Sequence, residues 1–294
     1  MMGWFEWWGD YTLRTIALGS ALLGLVGGLL GVFAMWRRQS LMGDVLAHAA
    51  LPGIVLAFML TGQRSLVVVL LGAAVAAWLG SLLLVVLRQT RLPPDAAQGV
   101  VLGGFFGVGS LLLTFVQQGS NAQQAGLDRF LFGQAATLVT TDLWLFGLLA
   151  GVALLSVALL YKEFKLLCFD AQFLSSLGFP ATRLGLGLTG LLVLAVLIGL
   201  QTVGVVLMAS LLVAPAAAAR QWTQRLGSMV VLAGVFGAVS GVGGALLSAQ
   251  AEHLPTGPLV VLIASGLMIL SLLLAPARGW LWEVWPRRTG RRSS

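Results

Sequence analysis

Charge is what this chain has least of. Only 9% of its 294 residues are Asp, Glu, Lys or Arg, against roughly 25% in a soluble globular domain. That excludes an ordinary soluble fold. The single cysteine, Cys168, excludes an intrachain disulfide and a cysteine-rich metal cluster. The only lysines are Lys162 and Lys165, in Tyr161-Lys162-Glu163-Phe164-Lys165. A phosphate-binding loop ends in Gly-Lys-Ser/Thr, so this chain hydrolyses no nucleotide by that route. It carries neither a zinc-protease histidine pair nor a nucleophile motif, and no enzymatic activity is expected of it. The start, Met1 to Asp10, is acidic and rich in Trp where a signal peptide is basic, so no cleavable signal is expected.

What the chain does have is apolar length. Hydrophobic residues make up 59%, in runs near the roughly 20 residues that cross about 30 Å of hydrocarbon. The runs predict an all-α polytopic transmembrane bundle in one domain, 1–294, with about nine spans. The spans fall near 13–36, 40–61, 65–87, 94–116, 142–161, 184–200, 202–219, 226–249 and 258–275. The segment 128–141 is too short to cross and reads as interfacial, capped by Asp128 and Asp142. Trp4, Trp7 and Trp8 suit an aromatic belt.

The net charge of +7 does not point to nucleic acid, because the basic residues sit in short loops and in the tail 276–294. With nine spans, 14 of the 17 basic residues fall on one side, leaving only Arg14, Arg64 and Arg129 on the other. Basic loops stay in the cytoplasm, so the N-terminus is expected outside and the C-terminus inside. Glycines four apart (Gly24 and Gly28, Gly27 and Gly31, Gly103 and Gly107, Gly237 and Gly241) predict close helix packing.

The second span places Asp44 and His48 four residues apart, on one helix face, followed by Pro52 and Gly53 as a helix break. Ionisable residues at membrane depth are costly and mark function by default. A carboxylate and an imidazole suit a borderline divalent cation. The competing reading is a hydrogen-bonded pair that locks helices together. Two ligands do not fill a metal shell; other spans, water or a second copy must supply the rest. Met208 and Ser210 are weaker candidates, better read as packing residues.

Two further places carry polar chemistry. Glu252 and His253 precede Leu254-Pro255-Thr256-Gly257-Pro258 in an outer loop, where a metal could first be received, although a solvated surface pair is the plainer reading. The connection 162–183 is the longest polar one. Within it Phe169 to Leu177 predicts a short amphipathic helix stopped by Gly178 and Pro180. A separate ATPase, if one drives transport, would dock there.

The run Ser40-Leu41-Met42-Gly43-Asp44 through His48-Ala49 and Leu51-Pro52-Gly53 resembles the hallmark of the membrane permease subunits of bacterial ABC importers for zinc, manganese or iron. Leu131-Phe132-Gly133, Thr202-Val203-Gly204 through Ala214-Pro215-Ala216-Ala217, and Pro255-Thr256-Gly257-Pro258 resemble further family segments in the same order. The resemblance implies a multi-pass inner-membrane permease, working as a homodimer with a cytoplasmic ATPase and an extracytoplasmic metal-binding protein. It makes Asp44 and His48 the pair that coordinates transported Mn2+ or Zn2+, with no permanently bound cofactor and no nucleic-acid partner. Phe169, Asp170, Leu174 and Gly178 resemble its ATPase-coupling element. Ala47 and Leu174 depart from the family's common Ser and Ala.

Two other classes fit the residues. A proton-coupled secondary transporter would use Asp44 and His48 as a relay and run without nucleotide. A membrane assembly subunit would lose assembly rather than flux when Asp44 is removed.

Overall fold

The computed structural model describes residues 11–62, 65–118, 139–205, 207–250 and 254–275. Among them the regular structure is helical throughout. The helices are α1 Tyr11–Trp36, α2 Met42–Thr61, α3 Leu66–Arg88, α4 Pro94–Gln117, α5 Thr140–Leu159, α6 Tyr161–Phe169, α7 Ala171–Ser176, α8 Ala181–Thr202, α9 Met208–Trp222, α10 Leu226–Ser248 and α11 Thr256–Leu274. Eight of them are long and apolar enough to cross a membrane: α1 to α5, α8, α10 and α11. The chain is therefore a multi-pass membrane protein.

The seventh expected span, near 202–219, is the point of difference. It was expected to run as helix from residue 202, but the chain leaves helical geometry after α8, and Gly204 takes φ +88°. Left-handed backbone suits glycine and ends a helix. The 15-residue helix α9 that follows rises only about 22 Å at 1.5 Å per residue. It nonetheless joins the two ends of the bundle. Its first residue, Met208, puts its sulfur against Gly199 near the end of α8, and Arg220 in its last turn lies over the Trp36 ring at the end of α1.

Glycine decides how closely these helices approach. A Cβ at Gly24 would collide with the Gly237 carbonyl, one at Gly28 with that of Ala233, and one at Gly241 with that of Ser20, so α1 and α10 pack backbone to backbone. Gly31 meets the Leu212 carbonyl of α9 in the same way. Without lipid-excluded driving force, such van der Waals closeness is what holds membrane helices together. Gly103 and Gly107 of α4 are different: nothing lies within 4 Å of a Cβ built at either. The expected packing pair on α4 is open within one copy of the chain.

The connection after α5 also differs from expectation. Helix resumes at Tyr161 as α6, so the amphipathic helix expected over 169–177 is divided at Asp170. Asp170 is extended (φ −153°, ψ 95°), and its Oδ1 accepts from the amides of Gln172 (3.0 Å) and Phe173 (2.9 Å). A carboxylate that caps a new helix competes with continuation of the old one. Gly178, at φ +85°, provides the expected stop. Asp142 caps as expected, its Oδ2 accepting from the Val139 amide at 3.3 Å. The Leu131-Phe132-Gly133 element, Asp128, the pair Glu252 and His253, and the tail 276–294 lie outside the described residues.

Candidate metal-ion site on α2

The turn that leads into α2 is tight. Arg38 sits at φ 55°, the Gln39 amide donates back to the Ala34 carbonyl (2.8 Å), and the Met42 amide donates to the Gln39 carbonyl (2.9 Å). This places Asp44 in the first turn of α2, where the helix dipole favours a negative charge. His48 follows one turn later. Its Nδ1 stands 3.7 Å from Asp44 Oδ1, with the side chains 15% and 28% exposed. That distance is too long for a hydrogen bond. These two atoms are therefore not hydrogen-bonded to each other. Nδ1 is buried and has no hydrogen-bond partner.

An unpartnered imidazole nitrogen and a carboxylate oxygen 3.7 Å apart could share one cation, because each metal–ligand bond is about 2.1 Å and two of them reach farther than that. Among the described residues, no cluster of three His, Cys, Asp or Glu surrounds the pair. Two donors would be half of a four-ligand shell. Met208 is fully buried with its sulfur against Gly199, which agrees with its reading as a packing residue.

Pro52 and Gly53 do not break the helix. α2 runs through both to Thr61. Gly53 instead lies against Gly72 of α3, where a Cβ on either would collide with the carbonyl of the other. Pro52 has no N–H, so it withholds the bond that would otherwise occupy the carbonyl of His48, four residues back.

One residue of the site escaped the sequence reading. The ring of Phe106 on α4 lies 4.9 Å from the His48 imidazole, centroid to centroid, tilted by 36°. It sits in the run Gly103-Gly104-Phe105-Phe106-Gly107, where nothing in the sequence separates it from Phe105. Ala47, the departure noted above, is fully buried.

Two other expected elements meet each other. A Cβ at Gly257, in the Pro255-Thr256-Gly257-Pro258 segment, would lie 2.9 Å from the Val203 carbonyl, in the break before α9. Thr256 pairs through its hydroxyl with Ser248 at 3.0 Å. At the opposite end of the bundle, Phe169 stacks on Trp36 (4.9 Å), whose Nε1 donates to the Met229 sulfur (3.3 Å). Of the four residues expected in the coupling element, Leu174 is fully buried and anchors α7, whereas Phe169 is exposed together with Phe173 and Leu177.

A bundle of membrane-spanning helices that carries a largely buried carboxylate–imidazole pair on an inner helix suits a membrane transport protein. The chain belongs to the ABC 3 transport family, which matches residues 10–275. It is 49% identical over 280 residues to the zinc transport system membrane protein TroC of Treponema pallidum, covering 95% of this chain and 94% of that one. It is also 49% identical over 265 residues to the manganese transport system membrane protein MntC of Bacillus subtilis, covering 90% of this chain but 61% of that longer one. Among solved structures it resembles PsaBC from Streptococcus pneumoniae in complex with Fab, with a TM-score of 0.82 and 27% identity over 94% of this chain and 96% of that one.

Proposed function

We propose that this chain is the transmembrane permease subunit of an ABC importer that brings divalent manganese or zinc, with iron as a third candidate, into the bacterial cytoplasm. The observation that carries the reading is the Asp44–His48 pair, whose Nδ1 and Oδ1 are 3.7 Å apart with Nδ1 unpartnered. An incomplete site is what a carrier needs, because a filled shell would not release its cargo. The names of relatives at 49% identity, one a zinc and one a manganese system, support the same substrates.

In this reading the chain lies in the inner membrane with its N-terminus outside and its C-terminus inside. An extracytoplasmic binding protein delivers the ion near Glu252 and His253, and Asp44 and His48 then hold it. Two copies of the chain face each other across α4. It is the least buried crossing, and its Gly103 and Gly107 are open. A separate cytoplasmic ATPase docks on the exposed Phe169, Phe173 and Leu177 of the 162–183 segment, with Asp170 and Gly178 shaping it. ATP-driven closure there moves Trp36, and through the 37–41 turn it moves the start of α2. The chain itself performs no catalysis.

The test is cellular metal content by elemental mass spectrometry, in a host lacking its own manganese and zinc uptake. The host carries this chain with its ATPase and binding protein. Accumulation of one metal by the wild type, but not by D44A or H48A present at equal membrane levels, is the expected result. Equal accumulation by the variants overturns the site. Accumulation that persists with a hydrolysis-dead ATPase and stops with a proton uncoupler overturns the ABC mechanism.

A further inference from the structure

A cavity of about 180 Å³ opens where the α1–α2 turn, the last turns of α3 and the start of α8 meet. This is far more than the roughly 10–15 Å³ that one water needs. Its polar lining includes Arg37, Gln39, Ser81, Arg88 and Thr189, and neither Asp44 nor His48 lines it. Both guanidiniums are half-buried, and among the described residues neither has a carboxylate within 4 Å. Arg88 Nε is buried without a hydrogen-bond partner, as is Oε1 of the buried Gln39. Nη2 of Arg37 lies against Gly185, only 3.3 Å from where a Cβ would be.

The hydroxyls have already spent their protons. Ser81 donates to the Trp78 carbonyl (2.7 Å) and Thr189 to the Gly185 carbonyl (3.0 Å). What the cavity has left to give is positive charge and N–H. Burial lowers the Arg37 pKa from its ordinary value, and the neighbouring Arg88 lowers it further. The nearby Cys168 thiol would offset this only as a thiolate. Burial pushes that thiol up to about 11, so it is neutral at physiological pH. Arginine does not shed its proton to relieve such crowding. Two desolvated like charges need an anion, and the planar forks of two arginines match the oxygens of a phosphate.

We propose that this cavity binds a phosphate group, supplied by the headgroup of an anionic phospholipid. The place favours lipid over free phosphate. The cavity lies at the ends of membrane spans, where headgroups sit, and basic pockets between transmembrane helices hold such headgroups. Exposed Leu82, Val85 and Val86 on the same turns of α3 offer an apolar track for the acyl chains. The proposal rests on the membrane architecture alone and stands whether or not the metal reading does.

The test is native mass spectrometry of the full-length chain in detergent, titrated with phosphatidylglycerol, with phosphatidylcholine, and with inorganic phosphate. The expected result is saturable retention of phosphatidylglycerol over phosphatidylcholine, weakened at least about tenfold in the R37Q/R88Q double variant. R91Q/R183Q, at exposed positions outside the cavity, stays within about twofold of wild type. Should the glutamine variant fail to extract as a folded species, R37K/R88K replaces it. It keeps the charge, loses the paired N–H geometry, and is expected to retain lipid several-fold less well. Equal retention by wild type and the cavity variants overturns the proposal. Saturable binding of inorganic phosphate without retained lipid assigns the arginines to free phosphate and overturns the lipid as occupant.

Discussion

Phe106 on α4 covers the imidazole of His48 on α2, with ring centroids 4.9 Å apart. The contact steadies the ring of a residue whose Nδ1 has no hydrogen bond to hold it. Aromatic pairs of this kind are worth about 0.5–1.5 kcal/mol. If the imidazole must be in place before the ion arrives, F106A should raise the metal concentration for half-maximal uptake by about two- to tenfold. The maximal rate should change less, and F106Y should restore the affinity. Uptake of radioactive manganese or zinc over a concentration series reads this directly. An unchanged half-saturation point would leave Phe106 as lipid-facing packing.

Asp44 and His48 should fail together. D44N keeps the shape of the carboxylate and removes its charge, while H48Q keeps a polar atom and removes the imidazole. Each should cut uptake at least about tenfold, the equivalent of one lost ligand at 1.4 kcal/mol. The double variant should be little worse than either single one, because two residues sharing one ion are not additive. Additive losses would mean that the pair does not share a ligand.

Much of this architecture was legible in hydropathy, because a crossing needs length and apolarity and little else. The eight long helices start and stop close to the expected positions. The boundary before α9 was expected near residue 201 and falls later, since Val203, Gly204 and Val205 are as apolar as the helices on either side. Only the left-handed φ of Gly204 separates them, and nothing in an apolar run announces it. The division at Asp170 has the converse cause. A single carboxylate at the right place caps a helix, but in sequence it reads equally well as one more polar residue of an amphipathic face. Asp44 and His48 were legible because charge in an apolar span stands out. Phe106 was not singled out, because pairing α2 with α4 is a property of the packing.

The glycines of α1 and α4 should respond in opposite ways. G24L drives a side chain into the Gly237 carbonyl, so the chain should extract poorly and lose most of its folded yield. G103L meets nothing within 4 Å and should leave one copy folded. If two copies meet across α4, it should shift the assembly from dimer to monomer on size-exclusion chromatography with light scattering. A G103L dimer as stable as wild type would place the contact elsewhere.

Cys168 should be slow to alkylate. Burial raises its pKa from 9.0 to about 11, and the thiolate is the reactive form. The thiolate population at pH 7.5 is then about 100-fold below that of a thiol at 9.0. The labelling rate should rise about tenfold per pH unit between pH 7 and 9, and jump when detergent denatures the chain. A fast, pH-insensitive reaction of the native protein would contradict the burial of this side chain against the Phe33 carbonyl.

Asp170 caps the helix on which the proposed ATPase coupling depends. Its carboxylate accepts from the amides of the second and third residues of α7, Gln172 and Phe173, at 3.0 and 2.9 Å, and α7 is only six residues long. So short a helix has little propensity of its own, and loss of its cap costs about 1 kcal/mol. The bundle does not depend on α7, so D170A should fold and reach the membrane at wild-type levels. α7 would fray, while the buried Leu174 still tethers it. The exposed Phe173 on α7 would lose its fixed position, just after Phe169, whose ring lies against Trp36 at the head of the α1–α2 turn. With the ATPase present, the variant should therefore lose metal uptake several-fold more than it loses ATP hydrolysis. D170N or D170S, which can also cap, should recover most of the coupling. If D170A lowers uptake and hydrolysis in equal proportion, the residue serves ATPase binding alone and the path through Trp36 falls.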